Sequence, residues 1–209
     1  MHRDMNVKDM GVALITGGAS GIGFAAATQL GQLGYTIVVL GSSTQSGERA
    51  AVQLRELGID ATGEGADFSD SQAVIRLRER LGPMAQPQVL VCSAGVMSEK
   101  MSKTLRTTPA EWDRVLGINL MGVVNAISEF APPMVAARSG RVIALSACLG
   151  RFTGPGTSGG LAPYRVSKAA LNALIRNFAA ETGWGNRGVL VDAMCPNHCR
   201  TPMGGPDAP

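Results

Sequence analysis

Residues 10–23, with the sequence MGVALITGGASGIG, carry the strongest structural signal in this chain of 209 residues. Gly11 to Ile15 form an apolar run without polar alternation, which predicts a strand buried on both faces. The glycines that follow predict a tight turn into a helix that begins near Ile22. Glycine lets the backbone approach phosphate oxygens, and a helix N-terminus offers unpaired N–H groups. An ordinary strand-to-helix turn is the alternative interpretation. The flanking strand and helix favour a binding site for the diphosphate of a nucleotide.

The composition favours one sizeable α/β domain over residues 1–209. Hydrophobic residues make up 45% of the chain and aromatic residues 4%, which fits a parallel sheet covered by helices. The net charge of +3 comes from scattered Lys and Arg, so a small anionic cofactor is the expected partner and nucleic acid is not. The sequence has no signal peptide and no apolar segment of about twenty residues, so we expect a cytoplasmic protein that does not bind membranes.

The four cysteines are expected at or just beyond the ends of strands. They are Cys92, Cys148, Cys195 and Cys199. Their spacing matches no zinc pattern and the chain has two histidines, so no metal site is predicted. We expect reduced, partly buried thiols.

Further apolar runs alternate with helical patterns along the chain. Strands are predicted at residues 11–15, 35–40, 60–66, 89–91, 141–146 and 189–194. Helices are predicted at residues 22–30, 48–57, 72–81, 119–137 and 164–182, with another starting at Thr108 and Pro109 and a bend at Pro132 and Pro133. This order predicts an α/β fold with a Rossmann-like, doubly wound parallel sheet. Ligands then bind beyond the carboxyl ends of the strands, where the glycine turn lies.

Tyr164 and Lys168 are four residues apart on a predicted helix, so they share a face. An ammonium beside a phenol favours the phenolate, so Lys168 is expected to lower the pKa of Tyr164. Tyr164 would then exchange a proton with a carbonyl or alcohol oxygen. Taken alone, such a pair also fits an ordinary helix surface.

The chain resembles the short-chain dehydrogenase/reductase family from Gly11 to Thr201. The matching marks are Thr16-Gly17-x-x-x-Gly21-x-Gly23, Asp67, Ala94-Gly95, Ile118-Asn119-Leu120, Tyr164-x-x-x-Lys168, and Pro196 with Thr201 five residues later. The resemblance implies that Tyr164 is the acid/base, that Lys168 binds the nicotinamide ribose, and that Asn119 holds a water in a proton relay. The cofactor-binding residues it implies are Gly17, Ser20, Gly21, Ile22, Gly23, Ser42, Ser43, Asp67, Phe68, Ala94, Gly95, Tyr164, Lys168, Pro196 and Thr201.

Three of these residues have simpler structural interpretations. The resemblance implies that Asp67 faces the adenine and that Thr201 holds the nicotinamide carboxamide. Asp67 also fits a helix N-cap, Asn119 a polar residue at a helix end, and Thr201 a turn residue.

The chain departs from the family pattern around the expected catalytic site. Cys92 and Ser93 replace the usual pair of asparagines, which removes an amide that braces the sheet and the cofactor loop. Ala147 stands where the catalytic serine belongs. Ser146 is the predicted catalytic substitute, although one residue earlier on a strand it should face away from the substrate unless the strand end is irregular. Other candidates are a register shift, Cys148, or Thr157 and Ser158 in the long loop.

The stretch after the sixth predicted strand also differs, because Pro196 is followed by Asn197 and His198. The family usually has Pro-Gly at the first two positions. Histidine is the side chain that most often exchanges protons near neutral pH, so His198 is a candidate proton donor or substrate ligand. An exposed loop histidine is the alternative.

Residues 41–44, Gly-Ser-Ser-Thr, end the second strand without the carboxylate that normally accepts hydrogen bonds from the ribose of NAD. Hydroxyl and N–H groups there, with Arg49 in reach, favour NADP(H) over NAD(H). The resemblance implies a substrate lid and a seventh strand beyond Pro209, the last residue of this sequence. The helices at 119–137 and 164–182 resemble those that form family interfaces, which implies a homodimer or homotetramer.

Three functions are compatible with these patterns. The first is an NADP(H)-dependent oxidoreductase that reduces a carbonyl, or oxidises an alcohol, of a small organic substrate by hydride transfer. The changes at Cys92, Ser93, Ala147 and Asn197 motivate the second, a non-redox cyclase, dehydratase or isomerase of the same fold. The third is a non-catalytic cofactor sensor or scaffold, for which the Tyr164 and Lys168 pair has no evident use.

Overall fold

A computed structural model describes residues 10–99, 102–154 and 159–208. The strands are β1 (Val12–Thr16), β2 (Thr36–Gly41), β3 (Ala61–Gly65), β4 (Val89–Cys92), β5 (Gly140–Leu145) and β6 (Val189–Met194). The helices are α1 (Gly21–Gln32), α2 (Thr44–Glu56), α3 (Ser71–Leu81), α4 (Pro109–Leu116), α5 (Gly122–Phe130), α6 (Pro132–Ala137) and α7 (Ala162–Glu181). The strands form one parallel sheet in the order β3-β2-β1-β4-β5-β6. The predicted Rossmann-like fold is confirmed.

The sheet carries a hydrophobic core on each face. Leu14 of β1 packs into one core with Leu90 and Val142, while Ala13 and Ile15 pack into the other. These three β1 residues are fully buried, because helices cover both faces of the central strands. The apolar run of the first strand therefore reflects burial on two sides. None of the helices within the described ranges is long and apolar enough to cross a bilayer.

The start of α2 corrects the sequence prediction. The helix begins at Thr44 and not at Glu48, because Ser43 acts as its N-cap. The Ser43 hydroxyl accepts from the Ser46 N–H at 3.2 Å, and the Ser46 hydroxyl lies 3.2 Å from the Ser43 N–H. Gly47 permits close packing on β3, since a Cβ there would clash with the Glu64 carbonyl oxygen. The loop after β2 is therefore only two residues long.

The predicted helix at 119–137 is divided into separate segments. A π-helical turn, Gly117–Met121, links α4 to α5 and holds Asn119 within the protein interior. The chain then breaks at Ala131 before α6, where the prolines predicted a bend. The other helix and strand bounds agree with the sequence predictions to within two residues.

Candidate active site

The glycine turn after β1 has a backbone that only glycine fits. Gly17 has a φ of +65°, and a Cβ there would lie 2.6 Å from the backbone nitrogen of Ala94. A Cβ at Gly23 would clash with the Gly17 carbonyl oxygen, so α1 packs directly against the turn. Ser20 is the N-cap of α1 and its side chain makes no capping hydrogen bond. The first-turn N–H groups therefore have no side-chain cap, and the turn fits a diphosphate group.

Thr16 joins this turn to the loop that follows β4. Its carbonyl accepts from the Ser93 N–H at 3.1 Å, and its hydroxyl accepts from the Ala94 N–H at 3.3 Å. Cys92 lies in the sheet, where burial raises the pKa of its thiol to about 12. These contacts brace the loop at the position where the sequence departs from the usual asparagine pair.

Tyr164 and Lys168 lie on the first turns of α7 and are 7% and 5% exposed. The Lys168 ammonium lies 5.7 Å from the centre of the Tyr164 ring. It also donates a hydrogen bond to the Leu145 carbonyl at 2.6 Å. The predicted shared face is therefore directed inward, toward the carboxyl end of β5.

The shift of the Tyr164 pKa in the structure is opposite to the expected one. Burial raises the pKa of Tyr164 above its ordinary value, with smaller contributions from Cys195 and Cys148. Burial also lowers the pKa of Lys168 from 10.5 to about 8. Loss of hydration disfavours both charged forms, so the sequence-based expectation of a phenolate beside an ammonium fails.

Asn119 is fully buried beneath the loop after β4. Its Oδ1 accepts from the Val96 N–H at 2.7 Å, and its Nδ2 donates to the Val96 carbonyl at 2.9 Å. Nδ2 also donates to the Ser167 hydroxyl of α7 at 3.0 Å. The amide thus fastens the loop to α7, which differs from the simple role of a polar residue at a helix end. Its role in a water relay stays a prediction.

Ser98 was not identified from the sequence, yet it contacts the backbone of Tyr164. Its hydroxyl accepts from the Tyr164 N–H at 2.9 Å, and the residue is 5% exposed. Leu161, the N-cap of α7, has a φ of +54° and provides no side-chain cap. Ser98, in the loop after β4, therefore accepts the hydrogen bond that an N-cap side chain would otherwise accept. A serine in an irregular loop has no local pattern that reveals this contact.

An ion pair on α4 fixes the loop on both sides of Ser98. Arg114 binds the Glu111 carboxylate through Nε and one terminal nitrogen, at 2.7 and 2.9 Å. Arg114 also donates to the Met97 carbonyl, and Glu111 accepts from the Glu99 N–H. The hydrogen bonds from Arg114 and from the Glu99 N–H lower the pKa of Glu111 below its ordinary value. The sequence analysis did not identify this pair.

Ser146 has a protein partner for its hydroxyl. The hydroxyl donates to Asn172 Oδ1 at 2.5 Å, and Asn172 lies two turns beyond Tyr164 on α7. Ser146 also lines the cavity, so the expectation that it faces away from the substrate stays a prediction. Ala147 itself lines the cavity. The catalytic role of Ser146 stays a prediction. Thr157 and Ser158, the candidates in the long loop, lie outside the described residues.

The segment after β6 forms the wall opposite α7. Asn197 has a φ of +61°, a conformation that asparagine tolerates better than most residues and that suits the glycine usual in the family. His198 is exposed, with Nε2 2.9 Å from the Gly204 carbonyl oxygen. Thr201 accepts from the Gly204 N–H at 3.0 Å, and its methyl group borders Gly21. His198 also lines the cavity, so both interpretations of this histidine stay predictions.

The residues predicted at the adenosine end lie outside the cavity that holds Tyr164. Asp67 is exposed and its carboxylate accepts from the Ser69 N–H at 2.9 Å, whereas Asp70 is the N-cap of α3. Phe68 packs into one of the two cores. Ser42 is exposed, and the Ser43 hydroxyl already caps α2. The N-cap interpretation is therefore wrong for Asp67, and its contact with adenine stays a prediction.

One cavity of about 650 Å³ joins the glycine turn to Tyr164. The predicted site residues that line it are Gly17, Ser20, Gly21, Ile22, Ala94, Gly95, Ser146, Tyr164, Lys168, Pro196 and Thr201. Gly23 and Asn119 are not part of the lining, but they lie next to Gly17 and Gly95, which are. The turn and the Tyr164 phenol thus border one space large enough for a small ligand.

Comparisons with known proteins support this arrangement. The chain is 35% identical over 193 residues to the C alpha-dehydrogenase of Sphingobium sp. strain SYK-6, covering 91% of this chain and 61% of that protein. It therefore spans less than two thirds of the length of this relative.

Two crystal structures are similar to the chain. One is assigned as an NAD(P)-dependent gluconate 5-dehydrogenase from Beutenbergia cavernae and contains NADP at low occupancy. It matches this chain with a TM-score of 0.83 and 28% sequence identity, and the match covers 94% of this chain and 75% of that one. The other is a 3-oxoacyl-(acyl-carrier protein) reductase from Brucella melitensis with bound NAD, with a TM-score of 0.82 at 28% identity, over 94% and 74%. The sequence profile described as short chain dehydrogenase matches residues 11–208. The chain therefore belongs to the short chain dehydrogenase family.

Proposed function

We propose that this chain is an NADP(H)-dependent oxidoreductase that reduces the carbonyl of a small organic substrate, with Tyr164 as the proton donor. The observation that carries the proposal is the shared cavity, which has the uncapped N-terminus of α1 at one end and Tyr164 at the other. The reductase and dehydrogenase names of the similar proteins support this reaction class. When bound, the nicotinamide supplies the hydride.

Tyr164 lies where it can act on the substrate oxygen, as proton donor in reduction and as proton acceptor in oxidation. Burial raises its pKa, which favours the neutral phenol over the phenolate. A phenol donates a proton to a carbonyl oxygen, whereas alcohol oxidation begins with a group that accepts one. Ser98 orients the first turn of α7, and the bond from Lys168 to Leu145 holds that helix against β5.

The preference for NADP(H) over NAD(H) is part of this proposal. Residues 41–44 contain no carboxylate, and Ser42 is exposed at the start of the short loop before α2. Arg49 is exposed on α2 and supplies a positive charge near this end of the sheet. A 2′-phosphate suits hydroxyl and guanidinium groups better than it suits a carboxylate.

The proposal is tested by following absorbance of the reduced nicotinamide during incubation with a panel of ketones and aldehydes. Tyr164→Phe should lower kcat by at least a hundredfold, since it removes the proton donor. Tyr35→Phe is a matched control, because it makes the same change at the only other tyrosine, just before β2. No turnover by the unmodified protein, or equal rates for it and Tyr164→Phe, would reject the proposal.

A non-redox cyclase, dehydratase or isomerase is the second candidate. Ala147 favours it, because the cavity wall there lacks the hydroxyl that would stabilise a developing oxyanion. Product formation from a candidate substrate without any nicotinamide, unchanged by Ala147→Ser, would support it. Strict dependence on NADPH consumption would exclude it.

We also infer that the protein forms a homodimer or homotetramer through α5 and α7 and the π-helical turn before α5. Met121 and Val166 are exposed apolar side chains in these segments. Sedimentation equilibrium at micromolar concentration should give a dimer or tetramer mass. A monomer mass over that range would reject this assembly.

A further inference from the structure

Two cysteines lie together in the cavity wall and have no role in the proposed reaction. Cys148 follows β5 and Cys195 follows β6 directly. The two strands are paired with Leu145 opposite Met194, and the Ser146 N–H donates to the Met194 carbonyl at 2.7 Å. The sheet therefore brings the two cysteines side by side, although 47 residues separate them in the sequence.

The Cys148 N–H donates a hydrogen bond to Cys195 Sγ at 3.0 Å. Because the N–Cα bond adds only about 1.5 Å, the Cys148 Cα lies within roughly 4.5 Å of the Cys195 sulfur. In a disulfide, the Cα–Cβ, Cβ–S and S–S bonds join the Cα of one cysteine to the sulfur of the other. The Cys195 sulfur is thus within the reach of the Cys148 side chain.

Both thiols are accessible from the cavity. Cys148 and Cys195 are free, partly exposed and part of its lining. Cys92 differs in this respect, because it is buried in the sheet. Cys199 is also free, partly exposed and part of the lining, but its thiol donates to the Pro196 carbonyl at 3.0 Å.

We propose that Cys148 and Cys195 form a dithiol modification site that reacts with a hydroperoxide to give a disulfide. One thiol attacks the peroxide and the O–O bond breaks, which gives a sulfenic acid and releases water from hydrogen peroxide or an alcohol from an organic hydroperoxide. The second thiol then attacks the sulfenic sulfur, which forms the S–S bond and releases water. For hydrogen peroxide, two thiols lose two protons and two electrons, and the peroxide becomes two waters.

The disulfide would join the ends of β5 and β6 beside Tyr164. It would hold the cavity wall around Ala147 and Pro196 in one arrangement, at the place where the proposed reaction needs a substrate carbonyl. Reduced entry of substrate is the expected consequence. This consequence depends on the proposed function, whereas the formation of the disulfide does not.

The test treats the unmodified protein with one equivalent of hydrogen peroxide and measures its intact mass and the linkage of its peptides. The expected result is the loss of two hydrogen atoms and a peptide pair joining Cys148 to Cys195, reversed by dithiothreitol. Cys148→Ser and Cys195→Ser should each lose the linkage. Cys199→Ser is the matched control and should form it at a rate within twofold of that of the unmodified protein.

Several results would overturn the proposal. These are a Cys195–Cys199 bridge, a bridge between two chains, or oxygen addition without any bridge in the unmodified protein. The peptide linkage is measured without a variant, so a variant that fails to fold leaves the test intact. Parallel loss of NADPH oxidation, restored by dithiothreitol, would show the effect on turnover. A bridge in a protein that lacks turnover would count against the proposed function alone.

Discussion

Lys168 should make the stability of the cofactor-free protein depend on pH in a predictable direction. Burial lowers the pKa of its ammonium from 10.5 to about 8. Below pH 8 the folded and unfolded states both carry the proton, so the folded state bears the full cost of the buried charge. Between pH 8 and 10.5 the folded state loses its proton first and the cost declines. Above pH 10.5 both states are neutral and the cost is absent.

The size of this effect follows from the shift. One pKa unit corresponds to about 1.4 kcal/mol, so the buried charge costs about 3 kcal/mol at pH 7. Lys168→Met keeps the length of the side chain and removes the charge. It also removes the charge-assisted hydrogen bond to the Leu145 carbonyl, which contributes about 1.5–3 kcal/mol. The two effects nearly offset at pH 7, so the variant should be more stable than the unmodified protein by at most about 1.5 kcal/mol, and the change of this difference with pH is the test.

Urea denaturation at intervals from pH 7 to 10.5 measures the difference in free energy of unfolding between the two proteins. The unmodified protein should gain about 3 kcal/mol relative to Lys168→Met over this range. Other titrating groups are common to both proteins and largely cancel in the difference. Lys103→Met is the control, because Lys103 is exposed and its removal should give a nearly constant difference.

The same measurement tests the opposite arrangement, in which Tyr164 and Lys168 both carry a charge in the folded protein. If Tyr164 were a phenolate paired with the Lys168 ammonium, the pKa of Lys168 would be raised and the unmodified protein would lose relative stability as the pH rises. A difference that stays constant or falls between pH 8 and 10.5 would therefore refute the reasoning from burial.

Three other substitutions test the site. Ser98→Ala should lower the free energy of unfolding by about 1–2 kcal/mol, since the Tyr164 N–H loses its acceptor. It should also lower kcat more than it raises KM. Unchanged stability and an unchanged kcat would contradict this role of Ser98. Ala147→Ser should raise kcat for ketone reduction by roughly tenfold or more by restoring a hydroxyl to the cavity wall, and an unchanged kcat would show that the hydroxyl has no role. Ser42→Asp should change the ratio of kcat/KM for NADPH and NADH by at least about tenfold in favour of NADH, because a carboxylate repels the 2′-phosphate. Ser42→Asn controls for size, and an unchanged ratio in Ser42→Asp would remove this serine from the cofactor site.

The fold was predictable because its signals are local. Unbroken apolar runs identified the strands that are buried on both faces, and glycines at 17 and 23 identified the turn that α1 packs against. The start of α2 was missed because Ser46 completes the capping interaction with Ser43, where glutamate or glutamine is the usual partner.

The supports of the site were less predictable because they connect distant parts of the chain. Ser98 caps a backbone N–H 66 residues away, and Asn119 binds Val96 and Ser167 through contacts that span 23 and 48 residues. No periodicity or local spacing encodes such pairs. A family resemblance can identify Asn119 as functional, but only the packing of the loop on α7 reveals which atoms it holds.

The direction of the shift in the Tyr164 pKa was also not predictable from the spacing of residues in the sequence. A spacing of four residues on a helix predicts that Lys168 lies nearby, and the 5.7 Å approach agrees with it. The spacing contains no information about burial, which acts on both groups against their charged forms and is the larger influence here. The sign of the shift in the Tyr164 pKa therefore depends on how tightly β5, α7 and the loop after β4 enclose the pair. That enclosure favours the neutral phenol, which is the form that donates a proton in the proposed reduction.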